Sequence, residues 1–514
     1  MFYARQTIKA IPGLAIAALV AAVALPAAAQ EQAREWIRPG QSGTLAAEVD
    51  FANPLGKLGI INMAGDIQMD GHPFFEPLGS NGRACVTCHQ PSDSMGLSLD
   101  SIRQQWELTG GTDPLFSMFD GANCPNLTPG DEASHSLMLN RGLVRIALPW
   151  PPAPANGVDI QPEFDIEVVR DPTGCNLDPV YGLEGDAGQI SVYRRPRMTA
   201  NFKHIMFETG PFNAKRLAMV NDKDPFSGAY TSMNIMSDAR DASLRAQAIG
   251  ASMSHLQAHQ IPSSEDLDAI VAFEEQIYAA QSFSNVAGAL AYEGGPQALG
   301  PAVMESTQRG LGDNFTTPLF MDFDMWREPG NSETAEQAAF RASVARGYDV
   351  FFLRPIMIMD TAHINTVGLG NPVKRSCATC HNAVLVATDA SAGWVDVGTT
   401  NLPWAREAMI HPWANTTDEL PLFKITCHDE ARPHPFLGRE IYTQDPGRAL
   451  ISGRCADVGS IVMGQFRGLA ARAPYFSNGS ADSLRDLVDF YDRRFNVGFT
   501  EQEKVDLTNF LSVL

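Results

Sequence analysis

The sequence predicts a mainly α-helical chain with little β structure, built as two tandem lobes that carry loop-rich insertions. Three observations predict it. The pattern Cys-x-x-Cys-His occurs twice, at Cys85, Cys88 and His89 and at Cys377, Cys380 and His381. Related segments follow the two motifs in the same order, with Ser237 to Arg245 aligning at a constant offset with Ser477 to Arg485 and both ending in Ser-Leu-Arg. Each of these runs leads into a closing helix with apolar residues at helical spacing.

The elements follow in chain order. Arg5 and Lys9 precede an apolar run from Ile11 to Leu25, and Ala27-Ala28-Ala29 stands before Gln30. This pattern predicts a secretory signal over residues 1–29, with an uncleaved anchor as the alternative. No later stretch is apolar for long enough to span a membrane after signal cleavage. The first lobe is placed at residues 30–280. Its insertion is marked by Pro149-Trp150-Pro151-Pro152-Ala153-Pro154, a loop composition, and by a weak alternation from Val158 to Val169 that reads as a hairpin strand. A helix is expected after Ser243. A second is expected from Ser264, with Glu265 and Asp266 in its opening turn and Ile270, Phe273 and Ile277 on its apolar face.

Residues 281–335 read as a connector, punctuated by Gly294-Gly295-Pro296, Gly300-Pro301 and Pro329-Gly330. The second lobe is placed at residues 336–514. It opens with a helix from Glu336 to Tyr348. It closes with a helix after Ser483 and another after Thr500, whose Glu503 completes a capping box.

The paired thiols and the adjoining imidazole point to one chemistry. Two cysteines on a single turn can form thioethers with the two vinyl groups of a haem, and the next residue reaches its iron. Zinc would need four ligands in compact pairs, and the two motifs lie far apart in the chain. A redox dithiol gives no reason for a histidine in both copies. Two covalent haems c are therefore expected, with His89 and His381 as the iron ligands. The other four of the eight cysteines are Cys124, Cys175, Cys427 and Cys455. In an oxidising compartment they are expected to pair locally, Cys124 with Cys175 and Cys427 with Cys455. The formal charge of −21 argues against nucleic acid as a partner and is compatible with steering a basic one.

With these residues in place the chain resembles the bacterial dihaem cytochrome c peroxidase superfamily, which includes the enzyme that matures the quinone cofactor of methylamine dehydrogenase. The likeness rests on the two haem motifs, on Arg195-Pro196-Arg197-Met198-Thr199-Ala200-Asn201-Phe202, and on Ser243-Leu244-Arg245-Ala246-Gln247-Ala248. The run from Arg467 through Ala473-Pro474-Tyr475-Phe476-Ser477-Asn478-Gly479-Ser480 to Phe490-Tyr491 carries it further.

The resemblance implies a periplasmic enzyme that reduces hydrogen peroxide with electrons from a small donor protein, a cytochrome c or a cupredoxin. It implies that the first haem is peroxidatic and the second transfers electrons. A calcium ion between the lobes is also implied, although no compact acidic loop argues for one.

The family pairs a distal glutamine with a glutamate ten residues later. Gln247 matches the glutamine, but position 257 is Gln257, whose amide can hydrogen-bond peroxide and cannot pass on its proton. His255 and His259, expected at i, i+4 on one helix face, are the alternative acid–base groups or a sixth ligand to the first iron. Core or surface histidines are the plain alternative. Tyr491, on the inner face of the helix after Ser483, is the expected sixth ligand of the second iron, with Met463 as the alternative and His411, His428 and His434 as further options. Ser477 stands where relatives have histidine. Trp106, Trp326 and Trp394 are candidates for an electronic bridge between the haems. The departure at Gln257 and the tyrosine at 491 leave open two other outcomes: oxidation or oxygenation of another substrate, and a non-enzymatic dihaem electron carrier.

Overall fold

The computed structural model describes residues 34–154, 157–205, 234–306, 323–328, 330, 333–362, 372–379, 381, 394–402 and 417–514. The expected signal segment, Cys380, His411 and much of the connector lie outside them.

The helices form where local signals placed them. Ser243 caps α1 (Leu244–Ser254) by accepting from the Ala246 amide, and Ser263 closes a capping box with Asp266 at the start of α2 (Ser264–Gln276). Thr334 caps α3 (Ala335–Leu353). Ser483 pairs with Asp486 at α4 (Leu484–Phe495), and Thr500 with Glu503 at α5 (Glu501–Ser512). The α1–α2 and α4–α5 pairs are the structural counterpart of the sequence repeat.

The expectation of little β structure is overturned. Six antiparallel sheets are present among the described residues, two of them four-stranded. In one, β1 (Glu48–Asn53) and β2 (Gly56–Asn62) form a hairpin, and β2 pairs with β6 (Ile277–Ser284), which leaves α2 without an intervening loop. A Cβ on Gly56, at φ +154°, would lie 1.9 Å from the carbonyl oxygen of Phe283, so the strand crossing requires glycine. Between these lie β3 (Val144–Pro149) and β5 (Gln189–Arg194), paired as a two-stranded ribbon.

The segment expected as a hairpin strand is β4 (Phe164–Arg170), and its partner is remote. It pairs with β7 (Leu422–Cys427), bringing Phe164 opposite Cys427 and Ile166 opposite Ile425, and β8 (Glu440–Thr443) extends the sheet. Such pairings join residues hundreds of positions apart, so local spacing does not disclose the partner even though β4 and β7 each alternate between a more and a less buried face.

Both expected disulfides are present, Cys124–Cys175 and Cys427–Cys455. The larger apolar clusters lie beside the two motifs. One gathers Phe74, Phe75, Ile270 and Phe273 near Cys85, and the other gathers Phe351, Val488, Phe510 and Leu511 near Cys377. Among the described residues no helix is long and apolar enough to cross a membrane.

Candidate haem-binding sites

The two motifs fold into the same turn. Cys85–Thr87 and Cys377–Thr379 are each one turn of 3₁₀ helix. The His89 amide donates to the Cys85 carbonyl at 3.1 Å, and the His381 amide to that of Cys377 at 3.0 Å. Burial pushes the Cys377 thiol up to about 12 and raises Cys85 and Cys88 as well. Thiols held protonated in this way are poor redox nucleophiles.

Cys85, Cys88 and His89 line one cavity, together with Arg83 and Met198. His89 Nδ1 lies 3.2 Å from the Met95 carbonyl oxygen. A bond there fixes the tautomer and leaves Nε2 for a metal, the usual support of an iron-ligating histidine. Burial lowers the His89 imidazole to about 4, so the ring is neutral and its lone pair available.

His255 also lines this cavity. Its Nδ1 sits 2.7 Å from Asp120 Oδ2, and the Arg83 guanidinium pairs with the other oxygen of the same carboxylate. Burial, with the Arg240 and Arg83 charges adding, pulls the His255 imidazole down to about 3. The ring is therefore neutral, with Nδ1–H donated to Asp120 and Nε2 free to accept. Gln247 lines the same cavity.

Gln257 and His259 do not. The helix ends at Ser254, His255 is its C-cap, and Gln257 takes φ +53°. Helical spacing stops there, so His259 is exposed and shares no face with His255. The Gln257 carbonyl instead accepts from the Ser80 amide at 3.2 Å.

No protein-family model matches the chain. No curated protein matches it either. A solved structure of hydrazine synthase from Kuenenia stuttgartiensis, pressurised with xenon, aligns at 13% identity over 81% of this chain and 93% of that chain, with a TM-score of 0.29. A likeness that weak carries no argument about fold or chemistry.

His381 lines two adjoining cavities, together with both expected sixth ligands, Tyr491 and Met463. The His381 and Tyr491 rings stand 6.4 Å apart at 87°, and Phe466 packs on His381 at 4.6 Å. Buried Ser477 Oγ, on the same wall, has no hydrogen-bond partner. His428 is near Asp165 and His434 near Asp396, and neither is among the residues that line the cavities of His89 and His381.

The three tryptophans lie elsewhere. Trp106 packs on Phe116, Trp326 Nε1 donates to the Tyr292 hydroxyl at 2.8 Å, and Arg448 lies 4.7 Å over Trp394. The first cavity and the larger of the other two instead share Arg195, Pro196, Arg197 and Met198 as a common wall. Among the described residues, no group of three or more His, Cys, Asp or Glu converges as a cation site.

Sequence reasoning missed Asp120 and Glu274. Asp120 meets His255 from 135 residues away, and nothing local marks it. Glu274 was visible in principle, as an acid beside Phe273 on the buried stripe of α2. It lines the first cavity, its Oε2 has no partner, and burial, then Glu275, pushes its carboxyl up to about 8.

Proposed function

We propose that this chain is an exported dihaem c-type oxidoreductase of the bacterial cytochrome c peroxidase kind, which reduces hydrogen peroxide with electrons from a small periplasmic donor protein, a cytochrome c or a cupredoxin. The observation that carries the reading is the neutral His255, held by Asp120 on the wall of the cavity that also contains His89. Cys85, Cys88 and His89 would hold one haem, and Cys377, Cys380 and His381 the other. The two disulfides support an oxidising compartment.

The bound haems would supply the redox chemistry. The chain's own residues would manage the protons. Peroxide cleavage requires a proton to leave one oxygen and arrive at the other. His255 Nε2 is an acceptor at neutral pH and can perform both transfers, while Asp120 holds the tautomer and steadies the transient imidazolium. Gln247 can orient the substrate by hydrogen bonding. This arrangement answers the missing glutamate at position 257 with an imidazole two residues earlier.

The same Nδ1–Asp120 bond favours a second reading, since it is also the support an iron-ligating histidine receives. His255 would then be a permanent sixth ligand and the protein an electron carrier. Optical and EPR spectra of oxidised and half-reduced protein, followed by peroxide consumption with a reduced donor, test the proposal. A high-spin ferric signal from one haem, with turnover, is the expected result. Two low-spin haems in both redox states without turnover would overturn the peroxidase reading.

A further inference from the structure

Strand β5 ends in a contrast. Arg194 is buried and fully answered: Nε and Nη2 donate to the two oxygens of Asp445 at 2.6 and 2.8 Å, and Nη1 donates to Asp238 at 2.5 Å. Arg195 and Arg197 follow it and have no carboxylate partner among the described residues. Arg195 donates to the carbonyls of Gly142, Leu97 and Arg472. Arg197 donates to the Val462 and Met463 carbonyls at 2.8 and 2.6 Å. Arg472 donates to the Gln465 carbonyl, and its buried Nε has no partner.

Burial pulls all three guanidinium groups down to about 10, and for Arg195 and Arg197 the Arg472 charge adds to the effect. Three neighbouring cations that carbonyl dipoles solvate, with Asp93 and Asp238 acting on Arg195 and Arg197 only from beyond ion-pair distance, are an expensive arrangement unless an anion joins them. Arg195 and Arg197 line both the first cavity and its neighbour on the His381 side, and Arg472 lines the latter.

We infer that Arg195, Arg197 and Arg472 form one binding site for the propionate carboxylates of both porphyrins, so that a shared cationic wall sets the two haem potentials together. The inference rests on the dihaem reading above. Carboxylate is the anion a porphyrin brings, and guanidinium pairs with it in two-pronged geometry. A cation beside an iron disfavours its oxidised, more positive state, so removing the cation lowers the potential.

The test is spectroelectrochemical titration of the purified full-length protein and its Arg197→Gln, Arg197→Lys and Arg472→Gln variants. Haem content is measured separately by pyridine haemochrome. Arg197→Gln should lower both midpoint potentials, moving each ferric/ferrous ratio at fixed ambient potential about tenfold toward ferric. Arg472→Gln should act mainly on the second haem, and Arg197→Lys should restore most of the shift. Unchanged potentials in Arg197→Gln and Arg472→Gln with two haems present would overturn the inference. So would wild-type potentials that track added inorganic phosphate, because the site would then hold a free anion. Absence of haem from the wild type would instead sink the dihaem reading itself.

Discussion

Asp120 binds His255 through one carboxylate oxygen and Arg83 through the other, so a single acid fixes an imidazole and neutralises a buried cation. Removing its charge while keeping its shape should separate those roles. Asp120→Asn is expected to reduce peroxide turnover about 10–100-fold, the usual effect of losing a group that orients a functional histidine. Haem content should stay at two per chain. His255→Gln should lose at least as much. Steady-state peroxide consumption with a reduced donor, normalised to haemochrome, checks both. Equal turnover in wild type and Asp120→Asn would remove the pair from the chemistry.

Tyr491 and Met463 compete for one role on the cavity that holds His381. If the phenol ligates the second iron, Tyr491→Phe changes that haem's oxidised spectrum and raises its potential, because a tyrosinate stabilises the ferric state. Met463→Leu should then leave the spectrum as it is. The reverse pattern assigns the thioether. Low-temperature EPR of the two variants decides between them.

Two helix glycines should respond with opposite signs. A Cβ on Gly347, in α3, would lie 2.0 Å from the Asp506 carbonyl oxygen and 2.7 Å from Phe510 Cβ, where α3 meets α5. Backbone cannot yield cheaply, so Gly347→Ala should destabilise by about 2–3 kcal/mol. A Cβ on Gly250, in α1, meets nothing nearer than Asp241 Oδ1 at 3.9 Å. Gly250→Ala should stabilise by about 0.5–1 kcal/mol, the ordinary helix preference. Urea midpoints of the two variants measure this, and a stabilised Gly347→Ala would mean that α3 and α5 are not in such close contact.

What the sequence disclosed was local. Ser243, Ser263, Ser483 and Thr500 cap helices through amides three residues away, so their signal lies within one turn. The C-x-x-C-H turns were legible for the same reason, and the disulfides because one cysteine pair follows each motif. The sheets were not, because the alignment of Phe164 with Cys427 is a tertiary event: each strand alternates, but its own residues do not name the partner. The distal site divides the same way. His255 was found as a neighbour of position 257, but the end of α1 at Ser254 removed Gln257 and His259 from that face, and Asp120 arrived from an unrelated loop.

Glu274 makes the pH dependence of stability predictable. Burial raises its carboxyl from the ordinary 4.5 to about 8, so the folded chain holds a proton that the unfolded chain releases above 4.5. The folded state then binds more protons between those two values, and stability falls as pH rises through the window. The stabilising effect is complete below 4.5 and exhausted above about 8. One proton corresponds to a loss of about 1.4 kcal/mol per pH unit. Glu274→Gln removes the titration and keeps a polar group of the same size in the cavity wall. The difference in unfolding free energy between the two proteins, from urea melts at several pH values, should therefore move steadily in favour of the variant from pH 5 to 8 and level off beyond. A difference independent of pH would show that Glu274 is ionised in the folded protein, with a counter-charge beside it.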